Sequence, residues 1–75
     1  MKMYKRLRYL LSEGFAVENV AGYDTPTGSD KPGRGTITYI RPMPHGVRRL
    51  VTEEFSVTGL EVKRCTALFL RTSMG

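Results

Sequence analysis

The stretch TITYIRPMPHGVRRLVTEEFSVTGLEVKRCTALFLRT, residues 36–72, decides the fold. Its β-branched and aromatic residues favour strands, and two turn signals divide it: Pro44-His45-Gly46 and Thr58-Gly59. The pattern predicts three antiparallel strands over about 36–43, 47–57 and 60–71. Closing the first hairpin at 44–46 sets Ile40 near Leu50, Tyr39 near Val51 and Thr38 near Thr52. It also sets Arg41 opposite Arg49, a like-charge pair that is destabilising unless an anion lies between them. Closing the second at Thr58-Gly59 sets Phe55 with Val62, Glu54 with Lys63 and Glu53 with Arg64. That register collects Val47, Val51, Phe55, Val57, Leu60, Val62, Leu68 and Leu70 on one face, and a one-residue slip would divide them between two faces.

A competing fold uses the same residues. Val47, Leu50, Val51 and Phe55 also stand at helical spacing. Residues 50–70 can be laid on a helix-turn-helix with Val51, Phe55, Val57, Val62 and Cys65 buried, and Lys63 and Arg64 on the recognition helix. Thr52 then stands where such motifs favour Ala, and Ser56 where they favour Gly. The strand formers of 65–72 weigh toward the hairpin.

Upstream, Lys2–Glu13 reads as an amphipathic helix. Met3, Tyr4, Leu7, Leu10 and Leu11 form one apolar stripe, and Gly14 is a natural stop. No good N-cap precedes it. Its other face carries Lys2, Lys5, Arg6 and Arg8 around Tyr9, an arrangement suited to phosphates with a stacked base. An ordinary solvated helix face looks the same. Cations in the first turn oppose the helix dipole, which favours an anion there. Residues 15–22 read as an edge strand whose alternation breaks at Val20, repaired by a bulge near Glu18-Asn19. Residues 24–35 (DTPTGSDKPGRG) read as a loop bearing Lys31 and Arg34, and 72–75 as a disordered tail. The whole chain is thus expected to be a single α+β domain, an N-terminal helix packed on a mainly antiparallel sheet of three to four strands.

The charge bounds the function. Twelve Lys+Arg against seven Asp+Glu give a net charge of +5. Most of the cations are Arg, which grips phosphate or carboxylate in a two-pronged fashion. Basic small domains are often polyanion binders, although many are basic without such a role. The candidate anion site is Arg41, Arg48 and Arg49 at the hairpin tip, with Lys2, Lys5, Arg6, Arg8, Tyr9, Lys31 and Arg34 as further candidate contacts.

Other chemistry is poorly supplied. One Cys and one His do not make a metal set, and Glu53 and Glu54 point to opposite faces of a strand. A Cys65–His45 nucleophilic pair is conceivable, but the setting of Cys65 reads as a buried structural thiol. GSDKPGRGT departs from the phosphate-loop pattern, with Arg34 in place of its Lys and Gly35 in place of its hydroxyl residue. No enzyme, cofactor or metal is expected. The order LLSEGF, strand, Gly-rich turn and strand ending in PMPHG is similar to small mRNA-cleaving toxins of the HicA family. Their catalytic His follows the first strand; Gly22-Tyr23-Asp24 stands there instead, and the C-terminal part does not match, so no catalytic residue carries over.

The longest apolar runs are far short of the roughly 20 residues that span a bilayer, and no signal peptide is legible. The expected setting is therefore cytoplasmic, without a membrane partner. A chain of this length is marginal alone, and a homodimer is the expected source of further stability. Nucleic-acid binding, with a regulatory role as its refinement, is the leading expectation. The alternative is a protein-binding inhibitor or adaptor of the phage or mobile-element type, docking on an acidic partner surface.

Overall fold

The computed structural model describes residues 2–23 and 33–74. Their order is α1 (Met3–Ser12), β1 (Ala16–Tyr23), β2 (Gly33–Pro42), a single 3-10 turn at Pro44–Gly46, β3 (Arg48–Val57) and α2 (Gly59–Met74). The three strands form one antiparallel sheet in the order β1-β2-β3. Both helices pack on one face of it, α2 against α1 and β1. The protein is α+β as expected.

α1 follows from its apolar stripe. Met3, Leu7 and Leu10 are buried, with Tyr4 and Leu11 half-buried beside them. Gly14 stops the helix at φ +83°. Its N–H donates to the Leu11 carbonyl at 3.2 Å, and the Phe15 N–H donates to Leu10 at 3.0 Å. Those two bonds satisfy carbonyls that the helix end leaves open.

The sheet keeps the expected register. Tyr39 lies opposite Val51, Ile40 opposite Leu50 and Arg41 opposite Arg49. β1 pairs with β2 from Ala16↔Ile40 to Tyr23↔Arg34, with the bulge between Val17 and Asn19. Alternation then sorts the faces. Ile37, Tyr39 and Val57 turn under the helices and are buried, while Arg34, Thr38, Thr52 and Ser56 lie on the open face. On that face the Thr38 and Thr52 hydroxyls meet at 3.1 Å.

A pair of glycines seats the helices. Gly22 and Gly35 are register partners. A Cβ on Gly22 would lie 2.6 Å from a Val62 methyl of α2, and one on Gly35 would lie 2.6 Å from the Met3 sulfur of α1. A side chain at Gly22 would displace Val62, and one at Gly35 would displace the end of Met3.

Residues 60–71 correct the expectation. They form α2, not a fourth strand, so the second hairpin and its pairings do not exist. Nor is there a helix-turn-helix, because 48–57 is a strand. The cause is local. Thr58-Gly59-Leu60-Glu61 is a helix-start signature, and the Glu61 N–H donates to the Thr58 hydroxyl at 3.2 Å. Glu61, Val62, Cys65, Leu68 and Phe69 then fall on one helical face, all buried or half-buried. The strand alternative would have placed Arg64 on the apolar face.

Two boundaries also move. β2 begins at Gly33, so Arg34 and Gly35 are strand residues and not loop. Thr72–Met74 continue α2 rather than forming a tail. Lys31 and the rest of 24–32 lie outside the described residues.

Candidate anion-binding surface at the hairpin tip

β1 starts opposite Ile40, so the ribbon of β2 and β3 continues beyond it as two strands alone. The Met43 N–H donates to the Val47 carbonyl at 2.7 Å and closes the turn. His45 and Gly46 both take positive φ, 64° and 76°. Histidine tolerates that region better than most residues. Beyond Tyr39 and Val51 the ladder has no helix-buried side chains: every residue from Val47 to Leu50 is exposed.

On this ribbon Arg41 and Arg49 are register partners, and Arg48 lies opposite Pro42. By alternation Arg41 and Arg49 share the face on which the helices pack further along, and Arg48 turns to the other. All three are exposed, and none forms an ion pair among the described residues. Arg48 also lines a shallow cleft with Glu13, Phe15, Ala16, Ile40 and Pro42.

The cations of α1 are elsewhere and differently engaged. Arg6 grips Glu53 with two bonds, Nε to Oε2 at 2.9 Å and Nη2 to Oε1 at 3.0 Å. Its Nη2 also reaches the Tyr39 hydroxyl at 3.4 Å. The bond to Glu53, then that to Tyr39, raises its pKa further above the ordinary guanidinium value. The same guanidinium lies 5.4 Å from the centre of the Tyr9 ring, so a cation already occupies one side of that ring. Arg8 similarly stacks on Tyr4 at 5.9 Å.

Lys2 and Lys5 line a cleft of ≈ 440 Å³ with Ser56, Thr58, Leu60, Glu61 and Arg64. Ser56 and Arg48 stand roughly 26 Å apart along β3 at the usual strand rise. The described candidate cations therefore do not form one patch. Arg41, Arg48 and Arg49 gather at the tip, Lys2 and Lys5 lie at the far end, Arg34 is exposed on the open sheet face, and Arg6 is a structural ion pair.

The anion expected at the start of α1 is internal. The Glu61 carboxylate accepts the Tyr4 N–H at 2.9 Å, placing negative charge at the positive end of the helix. Reading 60–71 as a strand concealed this residue; the Thr58-x-x-Glu61 spacing was the signal that could have found it.

Cys65 is enclosed in the helix–sheet core, while His45 stands exposed at the turn, so the two form no pair. Burial, then the charge of Glu61, pushes the thiol up to about 11. Among the described residues no group of three or more His, Cys, Asp or Glu side chains could hold a metal ion. No helix among them is long and apolar enough to cross a membrane. No protein-family model, curated protein or solved structure matches the chain.

Proposed function

We propose that the chain binds nucleic acid through the tip of the β2–β3 ribbon. The observation that carries this reading is the register pair Arg41–Arg49 with Arg48 beside it, exposed and without an ion-pair partner among the described residues. Two guanidinium groups held opposite each other repel, and a phosphate between them removes that repulsion. Cations on both faces of a narrow ribbon suit a groove with a phosphate strand on either side. The major groove of B-form DNA admits a two-stranded ribbon, whereas the deep, narrow groove of A-form RNA does not. Duplex DNA is accordingly the expected ligand ahead of duplex RNA.

The test is binding of labelled single- and double-stranded DNA and RNA across a salt series. Submicromolar binding to duplex DNA, steeply weakened by salt and lost in R41A/R48A/R49A, supports the proposal. Three phosphate contacts contribute about 2.7 to the log–log salt slope, and the triple variant loses that share. Binding no tighter than millimolar refutes it.

A protein partner is the second reading. It is favoured by the apolar side chains at the ribbon tip, where Val47 and Leu50 are 57% and 66% exposed. An acidic partner surface would suit the same tip.

A further inference from the structure

β3 ends the sheet, so its outer edge offers ten residues of backbone with no strand beside it among the described residues. Such an edge is an open template for another strand. Residues 47–55, VRRLVTEEF, have a pattern that inverts about Val51: apolar, two cations, Leu-Val-Thr, two anions, apolar. We propose that β3 pairs antiparallel with β3 of a second copy of this chain, with a two-fold axis at Val51, to make one six-stranded sheet.

The register follows from symmetry and charge. A two-fold axis normal to the sheet keeps both pairs of helices on one face. Directly opposite residues must then share a face, which admits only registers differing by two residues. In the register centred on Val51, Arg48 faces the partner's Glu54 and Arg49 faces the partner's Glu53. Val47 faces the partner's Phe55, Leu50 faces the partner's Thr52, and the two Val51 side chains meet. Centring on Thr52 instead sets Arg49 against the partner's Phe55 and Leu50 against the partner's Glu54. Centring on Leu50 sets Val47 against the partner's Glu53 and Arg49 against the partner's Val51. One register sets each of these four charges opposite a charge of the other sign, and its neighbours do so for none.

A second observation points the same way. Arg49 already lies opposite Arg41 on its inner side. The partner's Glu53 on its outer side supplies the anion that this like-charge pair lacks within one chain. Glu53 binds Arg6 through one bond to each carboxylate oxygen. Each oxygen retains capacity for another donor.

This pairing does not rest on nucleic-acid binding, but it uses Arg48 and Arg49, so self-association and binding at the tip compete. The experiment is therefore made without nucleic acid: sedimentation equilibrium of the full chain over a wide concentration range. The expected species has twice the 8.5 kDa chain mass. R48E and E54K, checked for folding by circular dichroism, each place like charges opposite each other twice per dimer. Each alone is expected to dimerise about tenfold or more weakly. An equimolar mixture of the two restores opposite charges at both places and is expected to recover the unsubstituted affinity.

A monomer at every concentration overturns the proposal. So does a dimer indifferent to both reversals, or a mixture that does no better than its components. Hydrogen exchange on the unsubstituted chain is independent of variant folding. Amides on the outer edge of 48–55 should exchange more slowly as concentration rises, and a dimer without that protection also overturns it. A monomer that still binds DNA refutes only the pairing; a chain that dimerises when concentrated but binds no DNA when diluted to monomer refutes only the proposed function.

Discussion

The two ends of the β2–β3 ribbon share one ladder and one alternation, yet they differ in everything attached to it. From Gly33 to Tyr39 the inward positions meet α1 and the core, and Ile37 and Tyr39 are buried there. From Arg41 to Arg49 the same inward positions carry two arginines with no helix over them. Stability resides at the covered end and unneutralised charge at the uncovered one. Charged groups lose solvation when buried, so an unpaired cation survives only where no core forms. The covered end shows the complement: its one inward carboxylate, Glu53, is held by Arg6.

Substitutions at the two ends should separate accordingly. The largest effect is expected at Leu7, which is fully buried against the sheet. Leu7→Ala should cost about 2–5 kcal/mol in denaturant unfolding. Leu50→Ala, on a side chain 66% exposed near the tip, should stay within about 0.5 kcal/mol. Equal costs would break the contrast.

Next in size is a pH effect confined to the covered end. The folded thiol of Cys65 is raised to about 11 from an ordinary value of 9.0. Its contribution is complete below pH 9, where both folded and unfolded chains keep the proton. Above that the unfolded chain ionises first, and about 2–3 kcal/mol is lost as pH rises to about 11. Cys65→Ala removes this dependence, so the difference between the two stability–pH curves isolates it. Identical slopes above pH 9 would show the thiol to be solvated.

Smaller again is the seat of the helices. Gly22→Ala presses on the stiff, β-branched Val62 and should cost about 1–3 kcal/mol. Gly35→Ala meets the flexible end of Met3, with a Val57 methyl behind it at 3.1 Å, and should cost less when the two variants are compared by thermal melts. The smallest stability effect is expected for R41A/R48A/R49A, within about 0.5 kcal/mol per site, with any gain coming from the relieved Arg41–Arg49 repulsion. A large loss would mean that the arginines hold the fold.

The ribbon was legible because its signals are local. Alternation over 36–43 and 47–57 with a turn at Pro44-His45-Gly46 leaves one good register, and that register alone brings Arg41 opposite Arg49. The phase break at Val20 likewise exposed the bulge. α2 was misread because its apolar residues also suit a strand, and the weight lay with Leu60, Val62, Leu68 and Leu70 rather than with the Thr58-x-x-Glu61 start. The ion pair of Arg6 with Glu53 and the bond from Tyr4 to Glu61 join residues far apart in the chain, so neither has a local signature. The Gly22–Gly35 seat has meaning only once β1 and β2 are in register and both helices are in place.

The most direct measurement is a backbone amide NMR titration of the full chain with a short DNA duplex at low salt. Shifts centred on Arg41–Arg49, continuing along β3 only where DNA displaces the paired second copy, with Gly22, Gly35 and the buried residues of α1 unmoved, are the predicted result. Shifts centred on Lys2, Lys5 and the start of α2, or no shifts at saturating duplex, would contradict the assignment of binding to the uncovered end.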